Sequence, residues 1–500
     1  MRMLTLTAGG GAIALIAAML TAQPQPAFGA PGDAKLGINV ASLTYYGNEP
    51  IFANQALGSP WLESWKGIPA DRLRPDGMPL SVEPGHTLNA ILVPPAPVYT
   101  GGKTATRCTW KGTGTIGVGG ELAQAGFPGD HRLDFAWAHG KPPRVWLELK
   151  SSSAADPVRD LDCRLRSDAP DAVFAPALIE YLKTFGVLRF LDWSSANGNP
   201  AIVTWATRGQ PHGLSISASD GVALEYQIAL ANTVGSSPWF TVPLNADADY
   251  QRRMAQMVHD RIPAGRPVYV ELSNETWNYG FGQAHQLQKE GVAATLSENP
   301  FQAAQYRYAQ RVIDLMAIWS AVYKDRPRDL VRVVATQAAN PWVGEILMDW
   351  KDGAIRNSVD AIAIAPYFSL DMAKAGTPAA PRVDQLAAAA QSIIAKEATA
   401  YAALAKRTGK RLITYEAGQH LVDPDRVDLM KAFNRDPGMT AIYQRYLKDW
   451  RAVSGGDLMT LYSATGPISK FGAWGLREYA GQPLAETPKL RGVLESNEDR

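Results

Sequence analysis

The chain has 500 residues, 46% of them hydrophobic and 19% charged, a globular balance that excludes disorder over most of its length. Lys and Arg total 49 against 48 Asp and Glu, a formal charge of +1, which excludes a binder that works by neutralising nucleic-acid phosphates and a polybasic membrane-surface protein. The length allows two or three domains, or one large barrel with an insertion.

The first residues read as an export signal. Arg2 supplies a short positive start, and Ala12 to Ala22 is apolar. That run is shorter than the roughly 20 residues a membrane span needs. Ala27-Phe28-Gly29 offers the small residues of a cleavage site. Residues 1–29 are therefore expected to be removed, leaving a secreted or periplasmic protein with no membrane span. The oligomeric state is not legible. Two cysteines, Cys108 and Cys163, suit an oxidising compartment and pair as one disulfide there; two buried thiols are the alternative.

A short apolar strand at 35–40 ends near Asn39, and a turn-rich stretch with Trp61 and Trp65 follows to about residue 80. From 80 to 168 the segments are short and β-like, punctuated by Gly, Pro and Asp. This reads as a β-sandwich-like insert, with carbohydrate binding as one role for it. From about 170, strands at 187–191, 238–243, 268–272, 331–336, 361–365, 411–415 and 458–462 alternate with helical stretches. Helices are expected at 248–260, 301–324 and 384–408. Counting 35–40 there are eight strands, and strand–helix alternation implies parallel pairing. The expected fold is α/β, a (β/α)8 TIM barrel from 31–79 and 169–500 around the insert.

Active sites of such barrels lie at the C-terminal strand ends. Those ends carry Asn39, Arg189 to Trp193, Ser273-Asn274-Glu275-Thr276-Trp277-Asn278, Gln337, Pro366-Tyr367, Tyr415-Glu416 and Phe471 to Trp474. Glu275 and Glu416 stand in aromatic company on strands four and seven, which face each other across a closed barrel. Two carboxyls across a pocket are what glycosidic cleavage needs: one protonates the leaving oxygen, the other attacks or activates water. Trp277 beside Glu275, His420 four residues past Glu416, Asn39 and Gln337 are further candidates for substrate contact. Trp193, Trp205 and Trp342 are either subsite walls or ordinary packing. Asn197 and Arg208 are candidates for sugar hydroxyls, and His285 reads as a helix-surface residue.

Ser-Asn-Glu after strand four, Tyr-Glu at strand seven and Trp474 after strand eight resemble the retaining glycoside hydrolases of clan A. The same residues are similar to secreted bacterial proteins labelled cellulase-like or cellulose-binding. The resemblance implies Glu275 as acid/base and Glu416 as nucleophile. It further implies Asn274 on the sugar 2-hydroxyl, Tyr367 and Arg189 at the nucleophile, and Trp474 as an aromatic floor. Two features depart from the pattern: Ala365 stands where several members have His, and simpler members lack the insert. The implied substrate is an oligo- or polysaccharide, with no cofactor and no nucleic acid. A non-hydrolytic carbohydrate-binding or exopolysaccharide-assembly protein and a transglycosylase are the rival readings.

Three motif matches lead elsewhere. Gly112-Thr-Gly114-Thr-Ile-Gly117 fits a dinucleotide loop but β-like sequence follows it where a helix is required. Asn274-Glu-Thr276 fits a glycosylation sequon inside the expected pocket. Seven histidines show no metal-binding spacing, so no metal is expected.

Overall fold

The computed structural model describes residues 33–140, 144–211 and 221–498; the expected signal, 1–29, lies outside them. Eight parallel strands close into a barrel in chain order. They are β1 (Asp33–Asn39), β2 (Phe185–Arg189), β3 (Ser237–Val242), β4 (Val268–Leu272), β5 (Leu330–Ala335), β6 (Ala361–Ile364), β7 (Arg411–Thr414) and β8 (Met459–Leu461). The ring shuts where β1 runs beside β8, Gly37 opposite Thr460. Gly37 permits that approach, since a Cβ there would stand 2.6 Å from the Thr460 hydroxyl.

The strands are apolar on both sides because both sides are covered. One set of side chains, including Val187, Trp239, Tyr269, Val333, Ala363 and Ile413, fills the barrel interior. The alternate set, including Leu188, Phe240, Val270 and Ile362, packs under the helices. Helix Pro300–Val322 lays Tyr308, Val312, Leu315 and Trp319 on that layer, and the Asn299 side chain caps it by accepting from Gln302 N at 3.1 Å. Asp247 does the same for helix Ala248–Arg261, accepting from Tyr250 N at 2.7 Å. The stretch expected as one helix over 384–408 is helical throughout, with a wider π turn at Ile394–Ala398. No helix among the described residues is long and apolar enough to cross a membrane.

Between β1 and the helix leading to β2, the chain builds a lobe of two antiparallel sheets. One orders Arg159–Leu165, Ala105–Lys111, Arg132–Trp137 and Leu122–Gly129; the other orders Lys66–Gly67, Leu62–Glu63, Leu88–Leu92, Val145–Ser152 and Gly114–Gly120. Their inner faces share one core that contains Trp110, Phe135, Trp137, Leu147 and the Cys108–Cys163 disulfide. The bridge joins neighbouring strands and spans 55 residues of sequence. A crosslink over a loop of that order contributes about 2–4 kcal/mol. The lobe starts earlier than the sequence boundary at 80: the hairpin Leu62–Gly67 pairs with Leu88–Leu92. Two-residue strands carry no alternation to read, so the hairpin looked like loop. The Gly112–Gly117 motif lies on a turn and a strand, with no helix after it.

The chain enters and leaves the lobe through a paired neck, and Tyr99 of the lobe also stacks on Tyr479 of the barrel at 4.5 Å. Ala53 N donates to Val173 O at 3.0 Å and Ala175 N to Ile51 O at 2.9 Å, and Phe52 stacks on Phe174 at 5.7 Å. Entry and exit chains are thus paired before the lobe begins.

Candidate active site

Arg189, the last residue of β2, is fully buried at the barrel's upper layer and uses all five of its N–H groups. Nε donates to Glu271 at 3.1 Å, one terminal nitrogen to Asn39 Oδ1 at 3.0 Å and Glu416 Oε1 at 2.8 Å. The other donates to Asn274 Oδ1 at 2.8 Å and to Glu271 at 3.3 Å. Its plane lies over Tyr415, 5.0 Å from the ring centre. Burial opposes the charge, yet Glu271 and Glu416 hold the guanidinium above its ordinary pKa.

Glu416 follows β7 by two residues, and its two oxygens are held separately. Arg189 takes Oε1, and the Tyr367 hydroxyl donates to Oε2 at 2.9 Å. Burial pushes its carboxyl up to about 8 and the charge of Glu275 adds to that, while Arg189 and Tyr367 pull it down. Glu275 sits in a tight turn past β4, where Ser273 (φ 59°) and Glu275 (φ 41°) are both left-handed. Non-glycine residues hold that conformation only where surroundings enforce it. Here the Ser273 amide donates to Val242 O at 2.7 Å. Glu275 accepts from the Tyr415 hydroxyl at 3.1 Å and from Asn278 Nδ2 at 2.8 Å. One dipeptide therefore reaches both carboxylates, Tyr415 by its hydroxyl and Glu416 as its own side chain. Burial first, then the carboxylates, raises Tyr367 and Tyr415 well above the ordinary phenol, so both remain donors.

The asymmetry between the two acids is the main electrostatic fact. Glu416 touches a cation; the hydrogen-bond partners of Glu275 are neutral.

Asn274 bridges the cluster, accepting from Arg189 and donating to Asn197 Oδ1 at 3.0 Å. Trp474 is half-buried with its indole nitrogen unpartnered; His420 packs edge-on to it at 5.7 Å and to Tyr367 at 5.2 Å. Trp277 is half-buried, its indole nitrogen also without a hydrogen bond. A cavity of about 290 Å³ opens on the β1/β8 side, walled by Asp192, Tyr462, Trp474 and the loop Tyr46–Glu49. Burial raises Asp192 against the pull of the Ser42 hydroxyl that donates to it.

Several sequence candidates fall elsewhere. Asn39 was expected to touch substrate, but it lies beneath Arg189 with Nδ2 on Tyr415 O (3.0 Å) and Leu461 O (3.1 Å). It positions the guanidinium and is only 1% exposed. Gln337 follows β5 half-buried; its carbonyl accepts from Tyr401 at 2.7 Å, and it enters none of the bonds just described. Trp193 is core, its indole donating to Ala41 O at 3.0 Å. Trp205 lies under Arg208, which is itself committed to Glu225 at 2.8 and 2.7 Å. Trp342 stacks on Phe301, and His285 is an exposed helix residue bonded to Tyr279 O.

Sequence reasoning missed Glu271; Tyr415, Asn278 and Asp192 stood among the strand-end residues but were given no role. Glu271 carried the clearest signal, an acid in the apolar run Val268-Tyr-Val-Glu-Leu272. It accepts from Trp239 Nε1 at 2.9 Å besides Arg189. Among the described residues no group of three or more His, Cys, Asp or Glu is arranged to hold a metal ion.

No family model matches the chain, and no curated protein matches it. Among solved structures it is similar to an α-L-arabinofuranosidase from Thermotoga maritima at TM-score 0.37 and 10% identity, covering 64% of this chain and 63% of that one. It is also similar to fungal β-1,4-galactanases (TM-score 0.35, 14% identity, 65% and 91% covered). A β-glucosidase from Thermotoga maritima gives TM-score 0.33 and 13% identity, with 64% and 84% covered. The chain thus spans under two thirds of the arabinofuranosidase's length. Scores this low add nothing to the barrel, which rests on its own strand order.

Proposed function

We propose that the protein is an exported retaining glycoside hydrolase acting on a β-linked glycan. The observation that carries this is the unequal holding of two carboxylates at opposed strand ends. Glu416, in the ionised form that Arg189 and Tyr367 favour against burial, attacks the anomeric carbon. Glu275 gives its proton to the departing glycosidic oxygen. The C–O bond to the leaving group breaks as the bond to Glu416 forms. Glu275, now a carboxylate, takes a proton from water, whose oxygen displaces Glu416 and regenerates both groups. The Asn274 amide, which also donates to Asn197, is assigned to the sugar 2-hydroxyl, and Trp474, His420 and Tyr367 to the walls around the sugar. The disulfide supports an oxidising compartment.

Intact-mass measurement of the exported protein after incubation with 2-deoxy-2-fluoro β-glycosides tests the whole reading. A covalent adduct on Glu416, on a chain starting near residue 30, is expected. Turnover of the parent glycosides with no adduct and an inverted first product sinks double displacement.

Tyr367→Phe gives a pH test. The hydroxyl stabilises the Glu416 carboxylate, so its loss raises the Glu416 pKa further. The acid limb of kcat/KM should move to higher pH, with a loss of roughly tenfold on the acid side that shrinks at alkaline pH. A uniform loss at every pH would assign Tyr367 to packing alone.

A further inference from the structure

The cavity beside Trp474 shares a wall with a second, larger one. Tyr46, Gly47 and Asn48 line both, and the second, about 640 Å³, runs from that loop to the face of the lobe. Its aromatic walls are Tyr45, Tyr46, Trp65 and Trp146. Tyr46 is 73% exposed and Trp65 54%, unusual for rings without a partner outside the protein. Trp65 and Trp146 meet edge to face at 5.5 Å, and Tyr45 and Tyr46 at 5.2 Å, so each pair fixes the other's orientation.

Trp65 is held at some cost. The hairpin Leu62–Gly67 pairs Glu63 with Lys66, leaving Ser64 and Trp65 as a two-residue loop. Both have positive φ, 48° and 63°. That loop favours Asn and Gly, because a side chain there crowds its own backbone. A bulky Trp is among the least suited residues, and its ring does not repay the strain by entering the core. Strain of this kind concentrates at ligand clamps.

We infer that the lobe carries distal sugar subsites, with Trp65, Trp146 and Tyr46 as stacking faces for the same glycan chain whose bond is cut in the barrel. The loop that this second cavity shares with the cavity beside Trp474, whose ring meets His420 next to Tyr367 at the carboxylate pair, names the occupant. A chain held at Glu275 and Glu416 that passes the loop Tyr46–Asn48 emerges between these rings. Asn48 and Arg144 at the same walls offer hydrogen bonds to ring hydroxyls, which a purely apolar partner would not use. The substrate class is accordingly a polysaccharide rather than a disaccharide. This rests on the glycosidase reading above, but its test does not need turnover.

Affinity electrophoresis in gels containing barley β-glucan, arabinoxylan, galactomannan or β-1,4-galactan compares Glu416→Gln with Glu416→Gln/Trp65→Gly. Glycine suits the positive φ, so the double variant keeps the hairpin, and its Tm should equal or exceed that of the parent. The expected result is retardation of Glu416→Gln by at least one polysaccharide and a loss of about tenfold in that affinity without Trp65. Equal retardation of both variants, or none for either, overturns the groove. Retardation that depends on Trp65, in a protein whose wild type cleaves nothing, keeps the groove and removes the hydrolase.

Discussion

Glu416→Gln is expected to lower kcat by on the order of 10⁴-fold or more, since an amide neither attacks the anomeric carbon nor leaves from it. The protein should nonetheless fold, because Arg189 keeps Glu271 as a counter-charge at 3.0 Å. Its stability should even gain at alkaline pH, and the sign follows from linkage. The folded Glu416 carboxyl is pushed from 4.5 up to about 8. Between those values the folded state binds more protons than the unfolded one, so wild-type stability falls as pH rises through that window. The amide has no such dependence. Thermal melts at pH 4.5 and pH 8.5 check this: the variant should match wild type at the lower pH and melt higher at the upper. A variant that melts lower at both would mean that Glu416 is a structural ion pair first.

Arg189→Met is the second large effect. It removes the one cation among buried Glu271, Glu416 and Asn274, leaving two carboxylates without compensation. Breaking a buried pair by removing one partner costs about 3–5 kcal/mol. Adding Glu271→Gln should recover part of that loss in urea melts, because it removes one of the stranded charges. Activity should stay lost in the double variant, since Glu416 still lacks the cation that favours its ionised form. Recovery of kcat alongside stability would show that Arg189 acts on the fold and not on the nucleophile.

Much of the barrel was legible because its strands are apolar runs of strand length separated by helical periodicity. Every expected barrel strand overlaps an observed one. The Asn-Glu and Tyr-Glu dipeptides stood out at strand ends, where polar residues have little reason to sit unless something meets them. Depth was not legible. Asn39 and Arg189 both end strands, yet Asn39 lies below the guanidinium and spends its amide on backbone carbonyls. Glu271 was conspicuous as an acid in an apolar run, but its direction was not legible: in a strand covered on both sides, inward and outward residues are equally apolar, so alternation does not mark the interior position. The hairpin Leu62–Gly67 failed on turn chemistry, since Ser-Trp is a poor candidate for a loop that wants Asn-Gly.

The neck of the lobe has a consequence for how such a protein is altered over time. Ile51 to Ala53 and Val173 to Ala175 are already hydrogen-bonded to each other, so everything between them is one excursion from a closed base. Swapping that excursion for a shorter or unrelated one changes loop-closure entropy only slowly with its length. The residues to which the proposed chemistry is assigned, Arg189, Glu275 and Glu416, all lie outside it. Under the proposed reading, the Trp65 and Trp146 side of the groove can thus be exchanged with the excursion, provided the replacement also meets the barrel where Tyr99 stacks on Tyr479, while Tyr46, Asn48 and the carboxylate pair stay in place.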